Sequence, residues 1–271
     1  MPTLLARVAS TVSARLGRQS ALVRALRPAY EWLLDAATLG RGTEWAMNGE
    51  VFRVDPRLRR LLPPQSEPEL WELLRGAIRP GEVVLDIGSF LGTYAMAMAR
   101  WGARVFAFEP TPESARALRR HVQLNHLEDR IQVNEVALGA AEGSVTLHQH
   151  GEPYRNAVAA HDPAGDRRGT VEVQMTTVDA FCRARRIQPT LIRMDVQGLE
   201  AEVLRGARET LAAGRAGLRV VLEVHPQLWP AHGVSPASFD ALLAELGLRA
   251  QPLVASEPLY TPDAHVLLQP A

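Results

Sequence analysis

Short apolar runs bounded by turn residues alternate with amphipathic stretches through most of the chain, and each pair predicts one strand–helix unit. The run over 83–87 ends at Gly88, and apolar residues at helical spacing resume after Gly92. This predicts a buried parallel strand, a tight loop and a helix over 93–101. A second unit follows, with strand 104–108 ending at Glu109 and helix 112–124, where Thr111 suits the N-cap and Pro112 the first helical position. Strand 131–136 comes next. Alternating residues over 144–148 and 170–176 predict an antiparallel hairpin with a long polar connection over 151–169. The units then resume as helix 178–186, strand 191–194 ending in Asp195, helix 200–211, strand 218–224 ending in His225, and helix 236–246. Short strands at 248–253 and 265–268 close the sheet. The succession predicts a doubly wound, Rossmann-like α/β fold, mostly parallel, with an added β-hairpin.

The first eighty residues do not follow this pattern. Residues 44–54 alternate around Asn48-Gly49, a hairpin signal, and an amphipathic helix over 67–78 is stopped by Pro80-Gly81. Three segments result: an N-terminal helical extension over 1–40, a cap of hairpin plus helix over 41–80, and the main domain over 81–271. The extension carries Arg7, Arg15, Arg18, Arg24 and Arg27 against only Glu31 and Asp35. A basic helix on an anionic membrane surface fits that pattern. A solvated leader helix followed by a helix over 30–39 fits it better, because Ala and Ser dilute the apolar face.

Composition narrows the function. Formal net charge is zero, which argues against nucleic acid as the main partner. All thirty basic residues are Arg, so lysine Schiff-base and Walker-type lysine chemistry are absent. A single cysteine, Cys182, excludes an intramolecular disulfide and a cysteine zinc cluster, and its helical segment suits a packed thiol. No apolar run approaches the roughly 18 residues that span a bilayer. Arginines interrupt any secretory h-region, so a cytoplasmic location is expected.

In doubly wound sheets ligands bind beyond the C-terminal ends of the strands. The residues to inspect are therefore Asp86, Glu109, Val136-Ala137, Asp195 and His225. The first loop reads Asp86-Ile87-Gly88-Ser89-Phe90-Leu91-Gly92, not G-x-G-x-x-G. Asp86 at the first glycine's place repels a pyrophosphate and suits a cationic ligand without phosphates, such as S-adenosylmethionine, and disfavours a nicotinamide cofactor. An acid about twenty residues beyond the loop is placed to bind a ribose, and Glu109 fills that role.

These residues, with Ala107-Phe108-Glu109-Pro110-Thr111-Pro112, Leu124-Asn125, Val136-Ala137-Leu138-Gly139, Thr177-Val178-Asp179 and Met194-Asp195-Val196-Gln197-Gly198-Leu199-Glu200, resemble the FkbM-type methyltransferases. The resemblance runs from about Glu67 to His225. It implies a class I S-adenosylmethionine-dependent methyltransferase, usually methylating a hydroxyl of a sugar or secondary metabolite. It also implies that Gly88, Ser89 and Gly92 cradle the methionine moiety, with Thr93 and Asp86 in the same set. Glu109 and Pro110 would hold the ribose, and Val136 and Ala137 would flank the adenine. Two departures stand out. Phe90 replaces an Asn of the family loop, and Gln197 replaces a Glu.

Methyl transfer to oxygen needs an aligned nucleophile relieved of its proton. His225 and Asp195 are the candidate bases, and Asp195 also suits the cofactor's amino group. A divalent metal on Asp195, Glu223 and His225 is a weaker alternative, and no metal is assigned. The expected acceptor is a small hydroxylated molecule (a sugar, glycan or natural product), contacted by Tyr154, Arg155, Asn156 and His161 of the 151–169 connection. A non-catalytic scaffold that binds S-adenosylmethionine stays open because of Phe90 and Gln197.

Overall fold

The computed structural model describes residues 33, 36, 38–150, 157–158, 167–214 and 217–271. The extension over 1–40 and the acceptor contacts expected from the 151–169 connection lie almost wholly outside the described residues. The chain divides into two compact units, Met1–Ser66 and Glu67–Ala271. The segment expected as a single cap over 41–80 is therefore shared: its hairpin counts with the first unit and its helix with the second. No helix among the described residues is long and apolar enough to cross a membrane.

In the first unit β1 (Thr43–Met47) and β2 (Glu50–Val54) pair antiparallel. Asn48 (φ 45°) and Gly49 (φ 83°) both take left-handed backbone, which matches the twist of a two-residue hairpin turn. The Asn48 side chain then ties the turn down, donating to the Ser66 carbonyl at 2.7 Å and accepting from its N–H at 3.0 Å.

The second unit holds a seven-stranded sheet. It contains β3 (Val83–Ile87), β4 (Arg104–Phe108), β5 (Ile131–Asn134), β10 (Leu191–Met194), β11 (Arg219–Val224), β12 (Leu248–Pro252) and β13 (Ala264–Pro270). Their order is β12-β13-β11-β10-β3-β4-β5. All neighbours are parallel except those of β13, which runs antiparallel to both β11 and β12. From β3 the chain steps outward to β4 and β5 and returns on the other side at β10, so the switch point lies between β3 and β10. The strands there are buried on both faces and accordingly nearly all apolar.

The connecting helices are α1 (Pro68–Ala77), α2 (Thr93–Arg100), α3 (Pro112–Leu124), α4 (Val178–Arg185), α5 (Glu200–Arg205), α6 (Arg208–Gly214) and α7 (Pro236–Glu245). Thr111 occupies the N-cap of α3 without a side-chain cap bond, whereas Thr177 accepts from the Ala180 N–H at 3.0 Å. Cys182 is buried on α4, and Phe181 packs edge-on against Phe106 and Phe108, with centroids 5.5 and 4.7 Å away.

A second sheet, ordered β6-β9-β7-β8, uses β6 (Ala137–Leu138), β7 (Gly143–His150), β8 (Ala157–Val158) and β9 (Arg167–Thr176). Two expectations need correcting. The strand expected over 131–136 stops at Asn134, and Ala137-Leu138 joins the second sheet instead. The helix expected over 200–211 breaks at Gly206. A Cβ there would lie 2.0 Å from the Gly139 carbonyl oxygen. Asp179 restarts the helix by accepting from the N–H groups of Glu209 and Thr210 at 2.9 and 2.8 Å.

Candidate functional site

The loop after β3 is wedged between its two neighbours. The N–H groups of Gly88 and Ser89 donate to the Phe108 carbonyl at 3.0 and 2.9 Å, and Asp195 N–H donates to the Ile87 carbonyl at 2.8 Å. Gly88 has φ +80°, and a Cβ on it would lie 1.7 Å from the Asp195 carbonyl oxygen, so only glycine fits. Gly92 (φ +88°) starts α2 against Leu118, whose Cδ1 would be 2.2 Å from an added Cβ. The Ser89 hydroxyl donates back to the Asp86 carbonyl at 2.7 Å.

At the tip of β4 the Glu109 carboxylate is held at both oxygens. Thr111 N–H donates to Oε1 and Phe90 N–H to Oε2, each at 2.9 Å. Burial pushes this carboxyl up to about 7, with the two N–H bonds pulling the other way. Phe90 reaches Glu109 by adopting φ +47°. Left-handed backbone explains the family's Asn at this place, since Asn tolerates that conformation better than Phe. The backbone N–H that binds Glu109 is present whatever the side chain, so the substitution removes only the Asn carboxamide.

Arg193 is the clamp of the switch point. Buried on β10, it donates to the Gly88 carbonyl at 3.0 Å and to Asp195 Oδ2 at 3.1 Å, and faces Asp86 Oδ1 at 3.4 Å. Its guanidinium lies 4.7 Å from the centroid of the Tyr94 ring. Asp86 is fully buried, and burial raises its carboxyl above the ordinary range against the pull of Arg193.

A cavity of about 300 Å³ opens at these strand ends. Of the residues expected from sequence, Gly88, Glu109, Pro110, Val136, Ala137 and Asp195 line it. Asp86, Ser89, Gly92 and Thr93 do not; they shape the loop from behind. Asp86 therefore does not select the ligand by its charge, because it spends that charge on Arg193. Among the described residues, the cavity wall carries four carboxylates, Glu67, Glu109, Asp195 and Glu223, and no basic side chain. Sequence reasoning missed Glu67, which has no local signature beyond starting α1.

His225 also needs correcting. It ends β11 as expected, but it is 1% exposed and lies outside the cavity lining. Its Nδ1 meets Glu200 Oε1 at 2.8 Å and its Nε2 meets the Gln197 carboxamide at 2.9 Å. Burial opposes a charged ring, but the bonds to Glu200 and Glu223 overcome it and push His225 up to about 10. With both ring nitrogens already engaged and the ring outside the cavity lining, His225 is not placed to take a proton from an acceptor. Glu200 is itself fully buried and also accepts from Gly198 N–H at 2.9 Å and Trp229 Nε1 at 2.7 Å. The Glu200–His225 pair is thus a structural post beneath the cavity floor. Gln197 (φ +51°) links it to the site, its amide nitrogen donating to Asp195 Oδ1 at 3.0 Å.

The parallel sheet with one antiparallel strand inserted near its edge, and the acid-walled cavity at its switch point, define a class I methyltransferase architecture. The Methyltransferase FkbM domain matches residues 86–250, and the chain belongs to this family of S-adenosylmethionine-dependent methyltransferases. Hexuronic acid methyltransferase AglP of Haloferax volcanii is 26% identical over 195 residues, covering 71% of this chain and 74% of its own length. The 2-O-methyltransferase NoeI of Sinorhizobium fredii is 30% identical over 156 residues, covering 51% of this chain and 62% of its own. An rRNA methylase structure from Streptococcus thermophilus aligns at 11% identity and a TM-score of 0.47, covering 74% of this chain and 93% of its own.

Proposed function

We propose that this methyltransferase transfers the methyl group of S-adenosylmethionine to a hydroxyl of a sugar or a sugar-bearing metabolite. Glu109 carries the reading. It is a carboxylate on the cavity lining, fixed by two backbone N–H groups, that suits hydroxyl donors from a ribose. The apolar trio Val136, Ala137 and Leu138 offers a surface for an adenine, and the carboxylate wall suits a sulfonium and an ammonium group rather than phosphates. When bound, the cofactor supplies the electrophilic methyl group. Asp195, whose side chain is 22% exposed and held by Arg193 and Gln197, is the carboxylate positioned to take the acceptor's proton. The names of the two relatives, a hexuronic acid methyltransferase and a 2-O-methyltransferase, support a sugar acceptor.

The Gln197 departure does not favour a scaffold without activity, because Gln197 still supports Asp195, and the backbone N–H at position 90 still binds Glu109. Two measurements test the proposal: calorimetric titration with S-adenosylhomocysteine, and transfer of labelled methyl to a panel of hexuronic acids and neutral hexoses. Absence of binding would sink the cofactor assignment. Binding with no transfer to any sugar would overturn the acceptor assignment.

A further inference from the structure

We propose that Glu67, Glu223 and His265 form a divalent transition-metal site on the wall of the cofactor cavity. The three residues come from separate elements. Glu67 is the N-cap of α1, and Glu223 and His265 sit directly opposite each other on the antiparallel pair β11 and β13. Paired residues of neighbouring strands project to the same face, which brings the imidazole beside the carboxylate. One ligand atom from each residue falls within a group whose members all lie within 4.8 Å of one another.

The geometry around His265 Nε2 is what points to a metal. The atom is buried and makes no hydrogen bond. It faces Glu67 Oε2 at 3.6 Å and Glu223 Oε2 at 3.7 Å, too far for a hydrogen bond to either. Ligands at about 2.1 Å from a shared ion lie roughly 3.0–3.5 Å apart, so the two imidazole–carboxylate distances need to shorten by only a few tenths of an ångström to meet one.

The supporting contacts agree. Tyr94 donates its hydroxyl to Glu67 Oε2, the oxygen that faces His265, so an ion there would share that oxygen with the hydroxyl. Glu223 turns Oε1 toward His225 at 3.5 Å, leaving Oε2 for the ion. The alternative trio of Asp195, Glu223 and His225 is less suited, because His225 already spends both nitrogens on Glu200 and Gln197. Two carboxylates and one imidazole match Mn²⁺ or Zn²⁺ better than Mg²⁺ or Ca²⁺. Glu67 and Glu223 both line the cavity. On the methyl-transfer reading, an ion there would polarise the acceptor hydroxyl beside Asp195.

The test is titration of the EDTA-stripped, dialysed full-length chain with Mn²⁺, followed by electron paramagnetic resonance, and with Zn²⁺, followed by calorimetry. One equivalent should bind. His265→Ala should weaken binding by more than the roughly 100-fold that loss of a mere supporting partner can cause. Glu223→Gln, which keeps the shape, should do the same and carries the test if His265→Ala fails to fold. No binding below about 1 mM (about 4 kcal/mol of affinity), or unchanged binding in both variants, would overturn the site. S-adenosylhomocysteine titrated into the same preparation reports separately on the methyl-transfer reading, so the two failures are distinguishable.

Discussion

Glu109 should tie cofactor affinity to pH. Its carboxyl is 7% exposed and sits at about 7 instead of 4.5, so in the free protein it is largely protonated in mildly acidic solution. A ribose places hydroxyl donors against it, and donors favour the ionised form. Binding below pH 7 must therefore release a proton, whereas binding above pH 7 need not. With only the ionised form competent, affinity for S-adenosylhomocysteine at pH 5.5 should be about 30-fold weaker than at pH 8. Calorimetry in two buffers of different ionisation enthalpy should show close to one proton released at pH 5.5 and none at pH 8. Glu109→Gln should remove this dependence. At pH 8 it should also lose roughly 10- to 100-fold in affinity, the equivalent of a charge-assisted hydrogen bond. A dissociation constant that stays within about threefold from pH 5.5 to 8, without proton release, would refute the assignment. The same shift has a stability side. Because the folded value lies above the unfolded one, the carboxylate contributes a penalty of about 3 kcal/mol that is absent below pH 4.5 and fully present above pH 7.

Three further outcomes follow from the geometry. Phe90→Asn relieves a bulky residue at φ +47° and should raise the melting temperature by about 2–4 °C, whereas no rise would mean that the Phe90 side chain packs well enough to offset its backbone strain. Gly88→Ala forces a Cβ to within 1.7 Å of the Asp195 carbonyl oxygen and should destabilise the chain by more than about 4 kcal/mol, read as loss of a cooperative urea transition; a normal transition would contradict the wedged loop. Glu200→Gln strips the charge that Gly198, His225 and Trp229 all address, and should lower unfolding free energy by about 3 kcal/mol; a loss below about 1 kcal/mol would mean that the buried pair is not a post.

The parallel strands were legible in the sequence because burial on both faces leaves continuous apolar runs, and Gly88, Glu109 and Asp195 were legible because their places at strand ends are fixed by topology. Depth was not legible. Asp86 and His225 also stand at or near strand ends, yet both turn into the protein, and only the partners Arg193 and Glu200 reveal it. Position along a strand says nothing about which ionisable group reaches solvent. The need for glycine at the 206 break was hidden for a similar reason, since it is the Gly139 carbonyl on a distant segment that leaves no room for a Cβ. The meeting of Glu67 with His265 was equally hidden, because it depends on β13 entering the sheet inside β12, and nothing in the alternation of either strand encodes that order. The Arg193 clamp was hidden too, because only the fold brings three acceptor groups within reach of one planar guanidinium, which a lysine ammonium would address with less fixed geometry.

The position of β13 also bears on how the sheet is assembled during synthesis. β12 precedes it in the chain but pairs only with it, so β12 has nothing to join until β13 has emerged and docked on β11. A nascent chain paused before Ala264 would present the outer edge of β11, an apolar parallel strand, as an open template. Until β13 docks, that edge is open to non-native pairing, while β3, β4 and β5 can pair as soon as they are made.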